Sequence, residues 1–358
     1  MFFIVKKIGQ SSKNFINGIS IVLALLLCIQ SFADDMLFAS EKGNAPKTIY
    51  MIHWVKLGRT KIGESFIQYF KEKNYNVKFV ERFAMQDKKK IQEYIKEIRE
   101  TKPDLIYVYS TTGVLELAGP HDATDKSQYI TDIPIIAAAH SEPVTSKILK
   151  KIGVPTGRNV TGVGHHIPAN MIYNIMEQYI APIKKVCILI SDELNAKGSA
   201  GNLMGLEGEK KFTSKLFYHE LVDKKVTDSS IENNVLGILK EKPDIIYLPS
   251  DGNSEANIAK IIQSFAKHRE IHSAPIFTTL ESMVTTPGSC TFSLFTSYNV
   301  MGIMAAFKAE QILYDNKKVT EIPYELGSQM NLAIRGDTMR ALKAYPKMSL
   351  LETADIFE

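Results

Sequence analysis

Beyond the N-terminal segment, short apolar runs alternate with longer amphipathic runs. Thr48–His53 predicts a strand, and Thr60–Lys73 predicts a helix because Ile62 and Phe66 recur at helical spacing. Leu105–Tyr109 is apolar nearly throughout, which is typical of a parallel strand covered on both faces. The same reading predicts strands at Val77–Phe83, Ile133–Ala139, Asn159–Val163, Lys185–Ile190, Leu216–Val222, Ile245–Pro249 and Pro275–Thr278. It predicts helices at Lys88–Thr101, Glu142–Lys151, Ala169–Ile180, Gly198–Lys211, Ser229–Lys240, Glu255–His268 and Ser297–Tyr314.

Alternating strands and helices of this kind predict an α/β fold with parallel sheets and right-handed crossovers. The chain also repeats itself. Lys-Pro-Asp-Leu-Ile-Tyr at 102–107 recurs as Lys-Pro-Asp-Ile-Ile-Tyr at 242–247, and 244 − 104 puts the copies 140 residues apart. Two further strands match in the same order: 132–136 with 273–277, and 47–52 with 184–189. The repeat predicts two Rossmann-like lobes facing each other, with the functional site between them.

The first 33 residues differ from the rest. Three lysines lie within the first 13 residues, and Ile19–Ile29 is an apolar run too short to span a bilayer comfortably. Ser31-Phe32-Ala33 then places small residues where a signal peptidase cuts, before Asp34. We therefore predict a signal peptide at 1–33. A lipoprotein anchored through Cys28, or an uncleaved anchor, remains an alternative, and no later apolar run is long enough to span.

The net charge, the cysteines and the histidines bear on whether the protein binds nucleic acid, forms a disulfide or holds a metal. Removing the three signal lysines takes the formal net charge from +4 to +1, which does not indicate a nucleic-acid binder. Only Cys187 and Cys290 remain in the mature chain, and the sequence leaves open whether they pair or stay as buried thiols. His165 and His166 resemble a metal pair, but neighbouring strand residues point to opposite faces, so no metal site is predicted.

Polar or aromatic residues follow the strands of both predicted lobes. In open parallel sheets, ligands bind beyond the carboxyl ends of the strands, where helix N-termini present free N–H groups to anions. The candidates of this kind are Trp54, Ser110, Thr111, Thr112, His140, Ser141, Asp192, Ser250, Asp251, Asn253, Glu281 and Ser282. Each serine, threonine or aspartate could equally be an ordinary helix cap. It is their convergence from two lobes that favours a site.

The chemistry of these residues indicates which group of a ligand each would bind. Thr111 and Thr112, with their backbone amides, suit a carboxylate, whereas Asp251 and Glu281 suit an ammonium group. Trp54 could stack on an apolar or aromatic part of a ligand, or lie half-buried on the surface of its lobe. The motifs of zinc proteases, serine hydrolases and P-loop proteins are absent, so we predict neither an enzyme nor a cofactor. A secreted enzyme using Asp251, Glu281 and His140 is the weaker alternative.

Several segments carry a family resemblance: Asp132–Ile135 leading into Ser141–Val144, then Asn159–Val163, Tyr247–Asp251 and Glu281–Val284. Together they resemble the substrate-binding proteins of ABC transporters with the type I periplasmic binding protein fold, in particular the group typified by tryptophan- and tyrosine-binding lipoproteins. The resemblance covers roughly residues 47–345. It implies two lobes joined by a multi-strand hinge. Lobe 1 is expected at 46–160 plus about 294–326, and lobe 2 at 161–293 plus about 327–358.

The resemblance also implies a function and a set of ligand residues. Thr111, Ser141, Asn195, Asp251 and Glu281 match ligand-side positions of the family. We therefore expect a monomeric periplasmic protein that captures a small, amino acid-like and possibly aromatic solute and delivers it to an ABC permease in the inner membrane. A ligand-sensing receptor subunit is the alternative. The chain departs from the family pattern at 54–58, Thr112, His140 and Ala196, positions that are expected to shape ligand choice.

Overall fold

The computed structural model describes residues 45–54, 58–191, 194–207, 214–221 and 226–358. The predicted signal peptide, with Cys28, lies outside the described residues. Within them, no helix has the length and apolarity to cross a membrane.

The first lobe begins with five strands and three helices. The strands are β1 Lys47–His53, β2 Val77–Phe83, β3 Leu105–Tyr109, β4 Ile135–His140 and β5 Val160–Gly164. The helices are α1 Lys61–Glu72, α2 Lys88–Thr101 and α3 Thr111–Ala118. The chain returns later as α10 Tyr298–Leu313 and β11 Glu325–Leu326.

The second lobe contains seven strands and eight α-helices of the described chain. Its strands are β6 Lys185–Ser191, β7 Lys215–Leu221, β8 Ile245–Leu248, β9 Ile276–Thr278, β10 Phe292–Thr296, β12 Met330–Arg335 and β13 Asp355–Phe357. Its longer helices are α4 Ala169–Tyr179, α5 Leu194–Met204, α6 Asp228–Glu241 and α8 Ile258–Lys267. Its short helices are α7 Gly252–Ala256, α9 Ser282–Thr285, α11 Gly336–Leu342 and α12 Met348–Leu351.

Each lobe is built on one sheet. The first sheet has the order β11-β5-β4-β3-β1-β2, and every neighbouring pair is parallel. The second has the order β13-β12-β10-β9-β8-β6-β7, in which β10 and β12 form an antiparallel pair. The segments β2-β1-β3-β4 and β7-β6-β8-β9 share one arrangement, as the sequence repeat predicts. The α/β fold with two lobes is therefore confirmed.

Three short connections join the lobes: β5 to α4, β10 to α10, and β11 to β12. The lobe boundaries differ from those predicted by a few residues. β5 extends the first lobe to Gly164 instead of residue 160, and β10 keeps the chain in the second lobe until Thr296, past the expected crossing near 294. In both cases the strand pairs with its lobe's sheet until it ends.

Three predicted helices are wrong in extent or kind. Residues 142–151 form turns, because Lys147 adopts a left-handed φ of 62° that stops helix propagation. The helix predicted at 198–211 is observed as α5, which begins and ends earlier. The helix predicted at 255–268 is two helices, α7 and α8, which break at Asn257 with φ −115° and ψ 10°.

Cys187 and Cys290 are free thiols buried in the core. Burial raises the pKa of the Cys187 thiol to about 12 and that of Cys290 well above its usual value. Neither is therefore present as a reactive thiolate near neutral pH.

Candidate ligand-binding site

The carboxyl ends of the strands of both lobes face a common cleft. Two adjoining cavities occupy it, one of about 290 Å³ and one of about 50 Å³. They share Gln86 and Tyr109 from the first lobe and Gly252 and Glu255 from the second. The predicted meeting of the two lobes around one cavity is therefore observed.

The first lobe contributes the N-terminus of α3 to the smaller cavity. Ser110 caps this helix by accepting a hydrogen bond from the Gly113 N–H at 3.0 Å. Thr111 and Thr112 form its first turn, and both line the cavity beside half-buried Trp54. The N–H groups of a first helical turn have no partner within the helix, so this end of α3 can receive an anion.

The backbone at the base of the smaller cavity is strained. Ser110 has a φ of 96° and Ala139, at the end of β4, has a φ of 63°. Non-glycine residues with positive φ are costly, and such strain collects at functional sites. Ser110 and Ala139 both line the smaller cavity, so the strain lies at the predicted ligand site.

Asp251 caps α7 and is fully buried. Its two oxygens accept five hydrogen bonds from the backbone N–H groups of Ser191, Asn253 and Ser254 and from the hydroxyls of Ser191 and Ser254. A carboxylate has about four lone-pair positions. Asp251 therefore has no free acceptor for a ligand ammonium group, and its predicted role is replaced by that of a cap. Asn253 is likewise engaged within the protein, because its side-chain amide donates a hydrogen bond to the Ser191 hydroxyl at 3.2 Å.

Glu281 lines the larger cavity and joins the lobes. Its Oε1 accepts from Lys61 Nζ of the first lobe at 2.6 Å, and its Oε2 accepts from the Tyr298 backbone N–H at 2.7 Å. The Glu281 side chain is only 8% exposed, whereas that of Lys61 is 58% exposed. The predicted ammonium receptor thus already holds a cation of the protein.

Glu255 is a cleft residue that the sequence reading missed. It is half-buried, it lines both cavities, and its Oε1 accepts a hydrogen bond from the Ser282 hydroxyl. Burial raises the pKa of Glu255, and the nearby Asp251 charge adds to the rise, while the Ser282 hydrogen bond opposes it. A raised carboxyl pKa in a cleft is a mark of a functional position.

Two histidines form the buried base between the lobes. His140 is fully buried, with Nδ1 2.8 Å from the Tyr324 hydroxyl, and it is not among the residues that line the cleft. His165, which sequence analysis considered only for metal, does line the smaller cavity and places Nε2 3.2 Å from the Ser250 hydroxyl. Burial lowers the pKa of His140 to about 4 and that of His165 to about 3, so both are neutral at physiological pH.

The predicted site residues thus fall into three groups. Trp54, Ser110, Thr111, Thr112, Ser250, Glu281 and Ser282 line the cleft. His140, Ser141, Asp251 and Asn253 lie behind or beside it. Asp192 and the side chain of Asn195 lie outside the described part of the chain.

A larger open depression of about 650 Å³ lies elsewhere on the first lobe. Pro134 and Asn159 line it, which places it at the amino ends of β4 and β5, opposite the cleft. Its half-buried cation, Arg158, already donates to the carbonyls of Ile148, Ala118 and Gly119. Its position and satisfied cation favour the cleft as the ligand site.

Comparison with known proteins agrees with this geometry. The family model described as ABC transporter substrate binding protein matches residues 58–356. The chain is 25% identical over 287 residues to a tyrosine-binding protein of Clostridioides difficile (strain R20291), covering 79% of this chain and 76% of the relative.

Two solved structures share the fold. A conserved domain protein from Vibrio cholerae has a TM-score of 0.73 at 18% identity, covering 88% of this chain and 100% of the other. An ABC domain from Streptococcus pneumonia in complex with L-Trp has a TM-score of 0.71 at 19% identity, with the same coverage. A family match of this length, on two lobes with a polar cleft between them, identifies the chain as a member of the ABC transporter substrate-binding protein family, with the type I periplasmic binding protein fold.

Proposed function

We propose that this protein captures an amino acid-like solute, aromatic in its side chain, between the lobes outside the cytoplasm and delivers it to an ABC permease. The observation that carries this proposal is the shared cleft, in which the α3 N-terminus of one lobe faces carboxylates of the other. The named ligands of two similar proteins, tyrosine and L-Trp, support the aromatic part of the proposal.

The carboxylate of the solute binds at the N-terminus of α3. The hydroxyls of Thr111 and Thr112 and the free N–H groups of the first turn supply donors there, next to Trp54. Since a helix N-terminus carries a partial positive charge, it favours a carboxylate over a neutral group.

The solute's side chain occupies the larger cavity. Tyr109 and Tyr298 line it with Ala256, and these surfaces suit an aromatic ring. A volume of about 290 Å³ lies at the lower end of the range for small-molecule sites, so a single amino acid fits better than a peptide. The lobes close over the solute about their three connections, and the permease recognises the closed form.

Isothermal titration calorimetry against the twenty amino acids and their carboxylate-free analogues tests this function. We expect an aromatic amino acid to bind and its amide or amine analogue to bind much more weakly. Thr112→Asp should weaken binding of the amino acid by more than roughly tenfold, because it places a like charge at the carboxylate site. The same change suits a helix N-terminus, so the variant should fold normally.

Thr101→Asp, at the exposed end of α2, is the matched control and should bind like the parent protein. Failure of a folded protein to bind any amino acid would overturn the proposed ligand class. Uptake of the bound amino acid by the native host, lost on deletion of this protein, tests delivery to the permease.

A further inference from the structure

Among the described residues of the second lobe, three carboxylates reach the cleft region, and two of them are already engaged. Asp251 is saturated by five protein donors. Glu281 is neutralised by Lys61 and holds the Tyr298 N–H. Asp251 therefore has no free oxygen lone pair for a cation from outside the protein, whereas Glu281 accepts only two hydrogen bonds but already has its charge balanced by Lys61.

Glu255 differs from both. Among the described residues its carboxylate has one side-chain donor, the neutral Ser282 hydroxyl, and takes part in no ion pair. It stands on α7, one turn from Gly252, and both residues line both cavities. A partly buried carboxylate without a cation is costly, and a ligand cation would remove that cost.

We propose that Glu255 is the receptor for a cationic amine of the ligand and selects amine-bearing solutes over their deaminated analogues. The inference rests on the proposed function and refines it. Glu255 lies where the two cavities join, between the α3 N-terminus and the larger cavity. An α-amino acid presents its three groups in the matching order, since the carbon that bears the amine links the carboxylate to the side chain.

The pH dependence of binding has a definite sign. Burial raises the pKa of Glu255 in the unliganded protein, and a bound ammonium group favours the ionised form. Affinity for an amine is therefore full well above this raised pKa and falls as the pH drops through it. A ligand that lacks the amine shows no such fall from this group.

The test is a comparison of two probes with two variants by calorimetry. The probes are L-tyrosine and 3-(4-hydroxyphenyl)propionate, which lacks only the amine; L-tryptophan and indole-3-propionate form a second pair. We expect Glu255→Gln to weaken binding of the amino acids by roughly 10- to 100-fold, the loss of one charge-assisted hydrogen bond. Binding of the deaminated probes should change less than about threefold.

Two controls separate this role from others. Glu270→Gln, at an exposed second-lobe position, should change neither probe. Glu281→Gln breaks the Lys61 contact between the lobes and should weaken both probes by a similar factor. The melting temperature of each variant checks folding.

Equal losses for both probe types in Glu255→Gln, or no loss for either, would overturn the inference while leaving solute capture intact. Parent protein that prefers the deaminated probes would overturn it as well. Parent protein that binds none of the four probes, nor any other amine, would overturn both this inference and the proposed ligand class.

Discussion

The duplicated Lys-Pro-Asp motif performs the same structural task in both lobes. Lys102 and Lys242 end helices α2 and α6 in the left-handed conformation, with φ of 45° and 53°. The aspartate that follows accepts backbone N–H groups where β1 or β6 begins: Thr48 for Asp104, and Lys184 and Lys185 for Asp244. The most recognisable sequence feature of the chain therefore fixes where β1 and β6 begin and does not line the cleft.

Replacing these aspartates tests that role. We expect Asp244→Ala to lower the free energy of unfolding by about 1 to 3 kcal/mol, because two N–H groups lose a charged acceptor. Asp104→Ala should cost less, since one N–H loses its acceptor and the Lys47 contact is exposed. Urea denaturation measures both, with exposed Asp315→Ala as the control. An unchanged unfolding free energy in Asp244→Ala would contradict the role, and ligand affinity should stay as in the parent.

Side-chain position after a strand is predictable from sequence, but the use of each side chain is not. Trp54, Thr111 and Ser282 were predicted in the cleft because they follow strands, and they line it. Asp251 and Glu255 lie one helical turn apart, but only the Asp251 carboxylate is fully occupied by hydrogen bonds as a helix cap. The difference depends on Ser191, which is 60 residues away in the chain and reaches Asp251 only in the folded lobe.

At the scale of elements, helix α10 is the piece that returns the chain to the first lobe. Glu310 near its end accepts from the hydroxyls of Tyr69 and Tyr75 and from Lys73 Nζ at 3.0 Å. Closer to its start, Gly302 packs directly on α1: a Cβ there would lie 2.5 Å from the Ile62 carbonyl oxygen and 2.7 Å from Ser65 Cβ. The two helices are therefore held at backbone contact, which requires glycine.

Gly302→Ala should separate α10 from α1 and lower the free energy of unfolding by about 1 to 3 kcal/mol, the usual cost of overpacking. Gly201→Ala on α5 is the matched control, because a Cβ there meets nothing within 4 Å. Because Gly201→Ala increases helix propensity, its free energy of unfolding should equal that of the parent protein or exceed it by up to about 1 kcal/mol. Chemical denaturation of both variants gives the comparison, and equal stabilities would contradict the packing role of Gly302.

Elements with clear periodicity were predictable, and those shaped by burial of polar residues were not. The bounds of β2, α2 and β3 were predicted correctly from their apolar spacing. β10 was missed because Ser293 and Thr296 are buried beside Phe292 and Leu294, so the strand shows no alternation. The false helix at 142–151 had helical spacing, but the Pro143 carbonyl accepts from Ile148 and Leu149 and closes a turn instead.

At the scale of the whole molecule, the repeat predicted two lobes but could not predict what holds them together on the hinge side. Glu142 of the first lobe accepts from Ser199 Oγ at 3.3 Å and Asn202 Nδ2 at 2.8 Å, both on α5 of the second lobe. His166, on the connection between β5 and α4, places Nδ1 3.2 Å from the same carboxylate. A Cβ on Gly198 would lie 2.9 Å from Glu142 Cγ, so the close approach depends on that glycine.

Because Glu142 both contacts α5 and pairs with His166, we expect lobe closure to depend on pH through His166. The Glu142 hydrogen bond is the main cause that raises the pKa of His166 while the lobes are in contact. Protonated His166 therefore favours the contact below the ordinary histidine pKa, and the advantage is lost as the pH rises through the raised value. The neighbouring His140 and His165 stay neutral throughout, because burial lowers the pKa of both.

At pH values well above the raised pKa of Glu255, where that carboxylate stays ionised, ligand affinity should accordingly increase as the pH falls from about 8.5 through the raised pKa of His166, since stabilising the closed form raises affinity. His166→Gln should remove this dependence, and Glu142→Ala should both remove it and weaken binding at each pH, because Ser199 and Asn202 lose their acceptor. His268→Gln is the matched control: His268 also pairs with a glutamate, Glu232, but within the second lobe, so its loss should leave the pH profile unchanged.

Calorimetry on L-tyrosine, or on whichever amino acid binds, gives the affinities, and small-angle X-ray scattering gives the degree of closure. If His166→Gln keeps the pH profile of the parent protein, closure does not depend on protonation of His166. If the affinity profile of this variant becomes flat while scattering still shows closure at low pH, the pH dependence arises at the connection between the lobes.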